Sequence, residues 1–130
     1  MKGVLVMSGY LENKMSLKEQ EVICKALLRA SENLSLKGSE LAKIIGVAES
    51  SISRLKKGEP LQDAKKLELA LGFLRVYRSL DAVAGPEISN MKAWFNAENN
   101  HLLGVPRKLI QSTQGLFHVA EYLDAMRSKL

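Results

Sequence analysis

The side chains with the clearest potential for chemistry lie in one short polar run that ends in basic residues. Its members are Glu49, Ser50, Ser51, Ser53, Arg54, Lys56 and Lys57. Hydroxyl, carboxylate and guanidinium groups can hydrogen-bond the edges of bases in a DNA groove, and lysines can neutralise phosphates. Ile52 and Leu55 interrupt the run at helical spacing, so we expect these polar side chains on the exposed face of a short helix. An ordinary helical hairpin with a solvated polar face is compatible with the same pattern.

The residues before this run predict a second short helix and a sharp turn. Leu41, Ala42 and Ile45 are apolar at helical spacing, and Gly46 follows them where the chain must turn. A small residue, a glycine and a β-branched residue at these separations are typical of a helix-turn-helix. Lys37 and Ala48 stand where Ser, Thr, Asp or Asn usually begins a helix, so both caps are predicted to be poor.

Catalytic chemistry is not expected from this sequence. His101 and His118 lie far apart, and neither has a carboxylate or cysteine at metal-ligand spacing. We interpret His101 as a loop residue and His118 as a helix-surface residue. Ser112 and Thr113 are better explained as helix caps than as nucleophiles. We therefore predict a protein that is not an enzyme, with no catalytic residues, no metal and no cofactor.

Composition favours a small aliphatic domain with a polyanionic partner. The 130 residues carry a formal net charge of +5, and aromatic residues make up only 5% of them. Cys24, the single cysteine, lies in an apolar helical run and is predicted to be a core residue. No signal peptide and no apolar run of about 20 residues is recognisable. We expect a cytoplasmic protein that does not associate with a membrane.

Long-range organisation is predicted from helix signals on either side of the turn. Residues 1–15 are expected to form a flexible arm, with a weak strand at 4–7. Ser16 and Glu19 form a capping-box pattern that opens a helix ending near Asn33. A longer helix over residues 63–83 is apolar on more than one side and therefore needs two neighbours. One neighbour is the helix-turn-helix, and the other is either the C-terminal unit or a second subunit.

The C-terminal third is predicted to consist of three further helices. Gly85 and Pro86 end the long helix and begin a short one. A loop over residues 96–101 follows, Pro106 opens another short helix, and Thr113 is expected to cap the last one. The fold class is all-α. We predict an arm at 1–15, a helix-turn-helix domain with its connecting helix at 16–84, and a third unit at 85–130.

The segment at residues 94–123 carries a second signature. A tryptophan that ends a helix, an Asn-rich loop, a Gly-x-Pro step and a Thr-x-Gly turn follow one another. With the upstream motif, this segment resembles the MbcA/ParS/Xre antitoxin family. The residues that carry the resemblance are Trp94, Asn99, Leu102, Gly104, Pro106, Leu109, Ile110, Gly115, Val119 and Leu123. Glu98 and Leu103 depart from it, since the family commonly has proline and a second glycine there.

The resemblance implies both a fold and a function. A Xre-type, lambda-repressor-like helix-turn-helix would precede a C-terminal toxin-binding domain. A homodimer is expected on separate grounds, because operators read by such helices are usually two half-sites that a two-fold dimer matches, and the apolar helix at 63–83 and the C-terminal helices supply surface to bury. The expected partners are operator DNA and a RES-domain toxin that consumes NAD or transfers ADP-ribose. The antitoxin would block the toxin's active site by binding and would repress its own operon.

Site residues follow from the same resemblance. Glu49, Ser50 and Arg54 would lie at base edges, with Arg54 the best candidate for a guanine contact. Ser51, Lys56 and Lys57 would lie near phosphates.

In the C-terminal third, Trp94, Leu109, Val119 and Leu123 are expected mainly in the core. Exposed side chains are better candidates for toxin contact. These are Arg107, Lys108, Tyr122, Arg127, Lys129 and Leu130.

Two other functions remain open at the level of sequence. The chain could be a stand-alone Xre-type repressor whose C-terminal helices only dimerise. It could also be an interaction module whose helix-turn-helix no longer binds DNA. A neighbouring gene for a RES-domain protein would separate the first of these from the antitoxin, and salt-dependent operator binding would separate the second.

Overall fold

The structure, a computed structural model, describes residues 15–130. The predictions of an N-terminal arm at 1–15 and a weak strand at 4–7 therefore lie almost entirely outside the described residues. Within residues 15–130 the chain forms seven helices and no strand. They are α1 (Leu17–Asn33), α2 (Gly38–Ile45), α3 (Glu49–Lys56), α4 (Ala64–Ala84), α5 (Ile88–Asn96), α6 (Pro106–Leu109) and α7 (Thr113–Arg127). The all-α prediction is confirmed.

Helix α4 is the central element of the fold. It packs against α1, α2, α5 and α7, and the contact with α7 is the most extensive. Leu67, Ala70, Phe73 and Leu80 are completely buried along it. The sequence left open whether a C-terminal unit or a second subunit covers the second apolar side of α4. The structure shows that α7 of the same chain covers it.

The turn between α2 and α3 has the geometry that its sequence predicts. Gly46 ends α2 with φ +72°, a left-handed conformation that glycine adopts without steric cost. The amides of Gly46 and Val47 both donate to the carbonyl of Ala42. Leu41, Ile45 and Ile52 are buried under the turn, so the two helices are held at their crossing by apolar packing.

The helix caps agree only partly with prediction. Ser16 accepts from the amide of Glu19 (3.1 Å), which is one half of the predicted capping box. Ala48 makes no side-chain cap, as expected. At Lys37 the cap is better than predicted, because the Glu40 carboxylate accepts from the Lys37 amide (2.9 Å).

The cap predicted at Thr113 is wrong. Thr113 is the first residue of α7, and the hydroxyl of Ser112 accepts from the amide of Gly115 (3.1 Å). Ser112 has extended backbone angles, which a residue must have to place its side chain over the first free amides of a helix. Thr113 is already helical and cannot do so.

One hydrophobic core runs through the described residues from α1 to α7. It is mostly aliphatic, as the composition predicts, and its fully buried aromatic side chains are Phe73 and Phe95. Cys24 is buried in it, and its sulfur accepts from the amide of Leu61 (3.3 Å). The prediction that Cys24 is a core residue is confirmed by its burial, which also raises the pKa of its thiol. No helix within residues 15–130 is long and apolar enough to cross a membrane.

Candidate DNA and partner interfaces

Helix α3 presents the polar run identified in the sequence. Ile52 and Leu55 are buried and attach the helix to the rest of the domain. Glu49, Ser50, Ser53, Arg54, Lys56 and Lys57 are exposed, and Ser51 is half-buried. The predicted separation of an apolar anchoring face from a polar face is therefore observed. The contribution of each of these side chains to DNA binding stays a prediction.

The position of Arg54 is set by two neighbours. Its Nη2 donates to the hydroxyl of Ser51 one turn earlier (3.1 Å). Its Nε lies 3.8 Å from a carboxylate oxygen of Glu59, and both side chains are more than half exposed. An exposed ion pair of this length is weak, so phosphate or guanine can replace Glu59 as the partner of the guanidinium. Ser51 holds the side chain along the outer face of α3.

Arg107 is not the exposed residue that the sequence suggested. Only 20% of its side chain is exposed, and its guanidinium connects α6 to the start of α2. Nε and Nη2 donate to the two carboxylate oxygens of Glu40 (2.9 and 2.7 Å). The remaining contacts go to the Ser35 carbonyl (2.7 Å) and the Asn96 side chain (3.1 Å). Its donors are used largely within the chain, because α6 lies directly beside the α1–α2 loop.

This connection shifts the ionisation of Glu40. The hydrogen bond from Arg107 lowers the pKa of Glu40 to about 2, against the opposing effect of burial. The same carboxylate accepts from the Lys37 amide at the start of α2. Glu40 therefore acts as both the helix cap of α2 and the anion that positions Arg107. Sequence reasoning missed this pair, since 67 residues separate its members and neither lies in a shared motif.

Tyr122 is half-buried, whereas an exposed side chain was expected. Its ring stacks on Trp94 with a centroid separation of 6.5 Å and on His101 at 6.0 Å. These three rings form an aromatic row that joins α5, α7 and the loop between α5 and α6. Trp94 and Tyr122 pack against the core with one part of the ring and face solvent with the rest. His101 is an exposed loop residue, as expected, and it covers the outer end of the row.

Near the end of α7, Asp124 makes a structural contact with α4, and the residues after it are mostly exposed. Asp124 accepts from Nε of Arg75 (2.7 Å) and from the hydroxyl of Ser79 (2.9 Å), which ties α7 to α4. Burial raises the pKa of Asp124, but these hydrogen bonds outweigh it and the pKa is lowered. Beyond Asp124, the predicted contact residues Arg127, Lys129 and Leu130 are exposed, as is Lys108 on α6.

The core assignments made for the C-terminal helices are largely confirmed. Val119 and Leu123 are fully buried. Trp94 and Leu109 are half-buried and pack against the core. His118 lies exposed on α7, as expected. Among residues 15–130 no group of three or more potential ligand side chains could hold a metal ion.

Comparison with known protein families divides the chain in two. Residues 22–75 match the antitoxin Xre-like helix-turn-helix domain. Residues 79–129 match the antitoxin Xre/MbcA/ParS C-terminal toxin-binding domain. No curated protein matches the chain at a significant level. The two matched regions meet within α4, the helix on which both pack. The chain belongs to the Xre/MbcA/ParS antitoxin family, with a Xre-type helix-turn-helix domain followed by a toxin-binding domain.

Proposed function

We propose that this antitoxin neutralises a RES-domain toxin by direct binding and represses its own operon through helix α3. The toxin would be an enzyme that consumes NAD or transfers ADP-ribose, and inhibition would come from blocking its active site. The chain would act by binding and not by catalysis. The observation that carries the proposal is the order of the two matched domains, a helix-turn-helix and then a toxin-binding domain, along one chain.

Exposed cationic side chains at the end of α7 support the toxin half of the proposal. Arg127 and Lys129 follow the last core residue of the helix, Leu123, so they are free to contact a partner without disturbing the fold. An NAD-using site must hold two phosphates, and it commonly carries carboxylates as well. Arginine and lysine match such carboxylates and can occupy the space of the substrate.

The shape of α3 supports the DNA half. Its exposed face carries short side chains near the start and Arg54, Lys56 and Lys57 near the end. Such a helix can enter a major groove while its last residues stay close to the phosphate backbone. Glu49 in the first turn would face phosphates unfavourably, so it is useful only against a base that donates, such as cytosine.

We propose a homodimer as the active form. Operators for this motif are commonly two half-sites about one turn of DNA apart, which a two-fold dimer matches. Val22 on α1 is 60% exposed and Leu71 on α4 is 39% exposed, and both line one groove on the surface. Light scattering at micromolar concentration should give twice the mass of the chain.

We also propose that the functional units divide at residue 84. Residues 16–84 would form the helix-turn-helix unit with its connecting helix, and residues 85–130 would form the toxin-binding unit.

Co-expression with a RES-domain toxin tests the antitoxin proposal directly. Cells that produce the toxin should stop growing as NAD falls, and co-expression of the full chain should restore both growth and the NAD level. The two proteins should also co-purify. A chain that binds operator DNA but neither rescues growth nor co-purifies would instead be a stand-alone repressor.

A further inference from the structure

Leu103 combines two features that are unfavourable for a leucine. Its side chain is 88% exposed, the highest value among the large exposed hydrophobic residues of the described chain. Its φ is +58°, in the left-handed region that residues with a Cβ adopt only at a cost. Glycine at this position would remove both the strain and the exposed apolar surface. Folding alone therefore does not account for a leucine here.

The loop around Leu103 is built to hold this conformation. Asn99 and Gly104 exchange two backbone hydrogen bonds (2.9 and 3.3 Å), which close the turn. The side-chain oxygen of Asn99 accepts from the amides of His101 (2.9 Å) and Leu102 (3.0 Å) inside it. Leu102 is buried and attaches the loop to the core. The next residue, Leu103, consequently projects outward from a fixed support.

The surroundings of this loop are those of a binding surface. His101, in the same turn, stacks on Tyr122, which stacks on Trp94. Half-exposed tyrosine and tryptophan rings are typical of the centres of protein interfaces. The loop and the aromatic row both lie within residues 79–129, the region that matches a toxin-binding domain. The toxin is therefore the partner that the chain itself indicates for Leu103.

We propose that Leu103 is an apolar anchor that fills a hydrophobic recess on the toxin, with the loop at residues 99–104 serving as its rigid support. The left-handed backbone directs the side chain away from the domain before the partner arrives. Little conformational freedom is then lost on binding, which favours affinity. This inference rests on the proposed function, because it needs a toxin as the partner.

Replacement of Leu103 by glycine tests the anchor. A catalytically inactive RES-domain toxin is titrated with the full-length antitoxin and with L103G by calorimetry. Removing a buried leucine side chain from an interface should weaken binding on the order of 10- to 100-fold. Because glycine adopts positive φ freely, the melting temperature of L103G should be no lower than that of the parent chain. A stable protein with weakened binding is the expected combination.

Two further variants test whether the loss of affinity comes from the apolar side chain and whether it is specific to position 103. L103M keeps an apolar side chain of similar volume and should keep most of the affinity. L17A removes another exposed leucine, 62% exposed on α1 and outside the toxin-binding domain, and should bind like the parent. Equal affinity of L103G and the parent chain would overturn the anchor while leaving the proposed function intact. No binding by the parent chain would overturn both.

The mass of the free antitoxin distinguishes a second occupant. If Leu103 packed against another copy of this chain, L103G would lower the mass measured by light scattering in the absence of toxin. That result would overturn the proposal, since the hydrophobic recess that receives Leu103 would then lie on a second copy of this chain and not on the toxin. An unchanged mass together with weakened toxin binding supports it.

Discussion

The guanidinium of Arg107 and the carboxylate of Glu40 join the toxin-binding domain to the helix-turn-helix through two parallel hydrogen bonds of 2.9 and 2.7 Å. At most a fifth of either side chain is exposed. The same guanidinium reaches the carbonyl of Ser35, a residue with a φ of +55° in the loop before α2. One arginine of the second domain thus hydrogen-bonds the loop that leads into the helix-turn-helix of the first.

We expect Arg107→Ala to lower the free energy of unfolding by about 1–3 kcal/mol, because it leaves a partly buried carboxylate without its cation. Urea denaturation at pH 7 measures the change. Arg107→Lys should recover little of the loss, since an ammonium group cannot donate to both carboxylate oxygens and the Ser35 carbonyl in this geometry. Lys108→Ala is the matched control, because Lys108 is exposed on the same helix. Equal stability of the Arg107→Ala and Lys108→Ala variants would contradict the role given to this pair.

The Glu40–Arg107 pair also predicts how stability depends on acid. The Arg107 hydrogen bond lowers the pKa of Glu40 from 4.5 to about 2 in the folded chain. A group whose pKa is depressed by folding stabilises the protein above its unfolded pKa, and that contribution disappears as the pH falls through the folded value. Stability should therefore decline between about pH 4.5 and pH 2. Glu40→Gln should be less stable at pH 7, and its stability should decline less steeply across this range. Asp124 should account for part of the decline that is left in this variant, because its pKa is also lowered by folding. An unchanged slope in Glu40→Gln would contradict the assignment.

Gly115, in the first turn of α7, lies against the backbone of Leu109 at the end of α6. A Cβ at this position would stand 1.9 Å from the carbonyl oxygen of Leu109, which is backbone and cannot turn aside. We expect Gly115→Ala to destabilise the protein by about 3 kcal/mol or more, measured as a shift in the urea midpoint. Gly38→Ala is the control, because its nearest neighbour would be the Ile52 side chain at 3.8 Å and alanine favours the helix. Comparable losses in both variants would show that α6 and α7 adjust to the added methyl group.

The helix-turn-helix and the order of the seven helices were accessible from sequence because local signals specify them. Gly46, Pro106 and the apolar spacing of α4 each act within a few residues of the chain. The sequence does not decide between α7 and a second subunit as the cover of α4, since an apolar face does not identify what packs on it. It also predicts Arg107 and Tyr122 to be exposed, because their partners, Glu40 and Trp94, are distant in sequence. The left-handed backbone of Leu103 could be suspected only from the glycine that the family commonly has there.

Arg54 and Lys57 should contribute differently to operator binding. If Arg54 contacts a guanine edge, Arg54→Ala should cost about 1–3 kcal/mol and relax preference at one base pair. Lys57→Ala should weaken binding to all sequences alike and reduce the slope of log K against log salt by about 1. Fluorescence anisotropy with the operator and single-base variants, at several salt concentrations, measures both effects. Equal and sequence-independent losses in the two variants would contradict the roles assigned to them.

Removal of residues 125–130 tests whether the end of α7 inhibits the toxin. The truncated chain keeps Leu123 in the core and Asp124 bonded to Arg75 and Ser79, so the contact between α7 and α4 is retained. The truncation removes Arg127 and Lys129, which are exposed, and Met126, which is half-buried. Circular dichroism and a melting curve must therefore establish first that the shortened chain is folded. Light scattering must show that its mass is unchanged, because Arg127 lines the same groove as Val22 and Leu71.

The folded truncation should lose inhibition of the toxin while it keeps its affinity for operator DNA. If the toxin uses NAD as proposed, the exposed cationic side chains of Arg127 and Lys129 can enter its site. Helix α3, which is proposed to contact DNA, lies in the other matched domain. The double variant Arg127→Ala, Lys129→Ala in the full chain is the matched comparison, because it removes the charges and leaves Met126 in place. Inhibition is measured as the rate of NAD consumption by purified toxin at increasing antitoxin concentration. Full inhibition by the folded truncation would show that the end of α7 is not the inhibitory element. The loop at residues 96–108, with Leu103 at its tip, would then carry the inhibition.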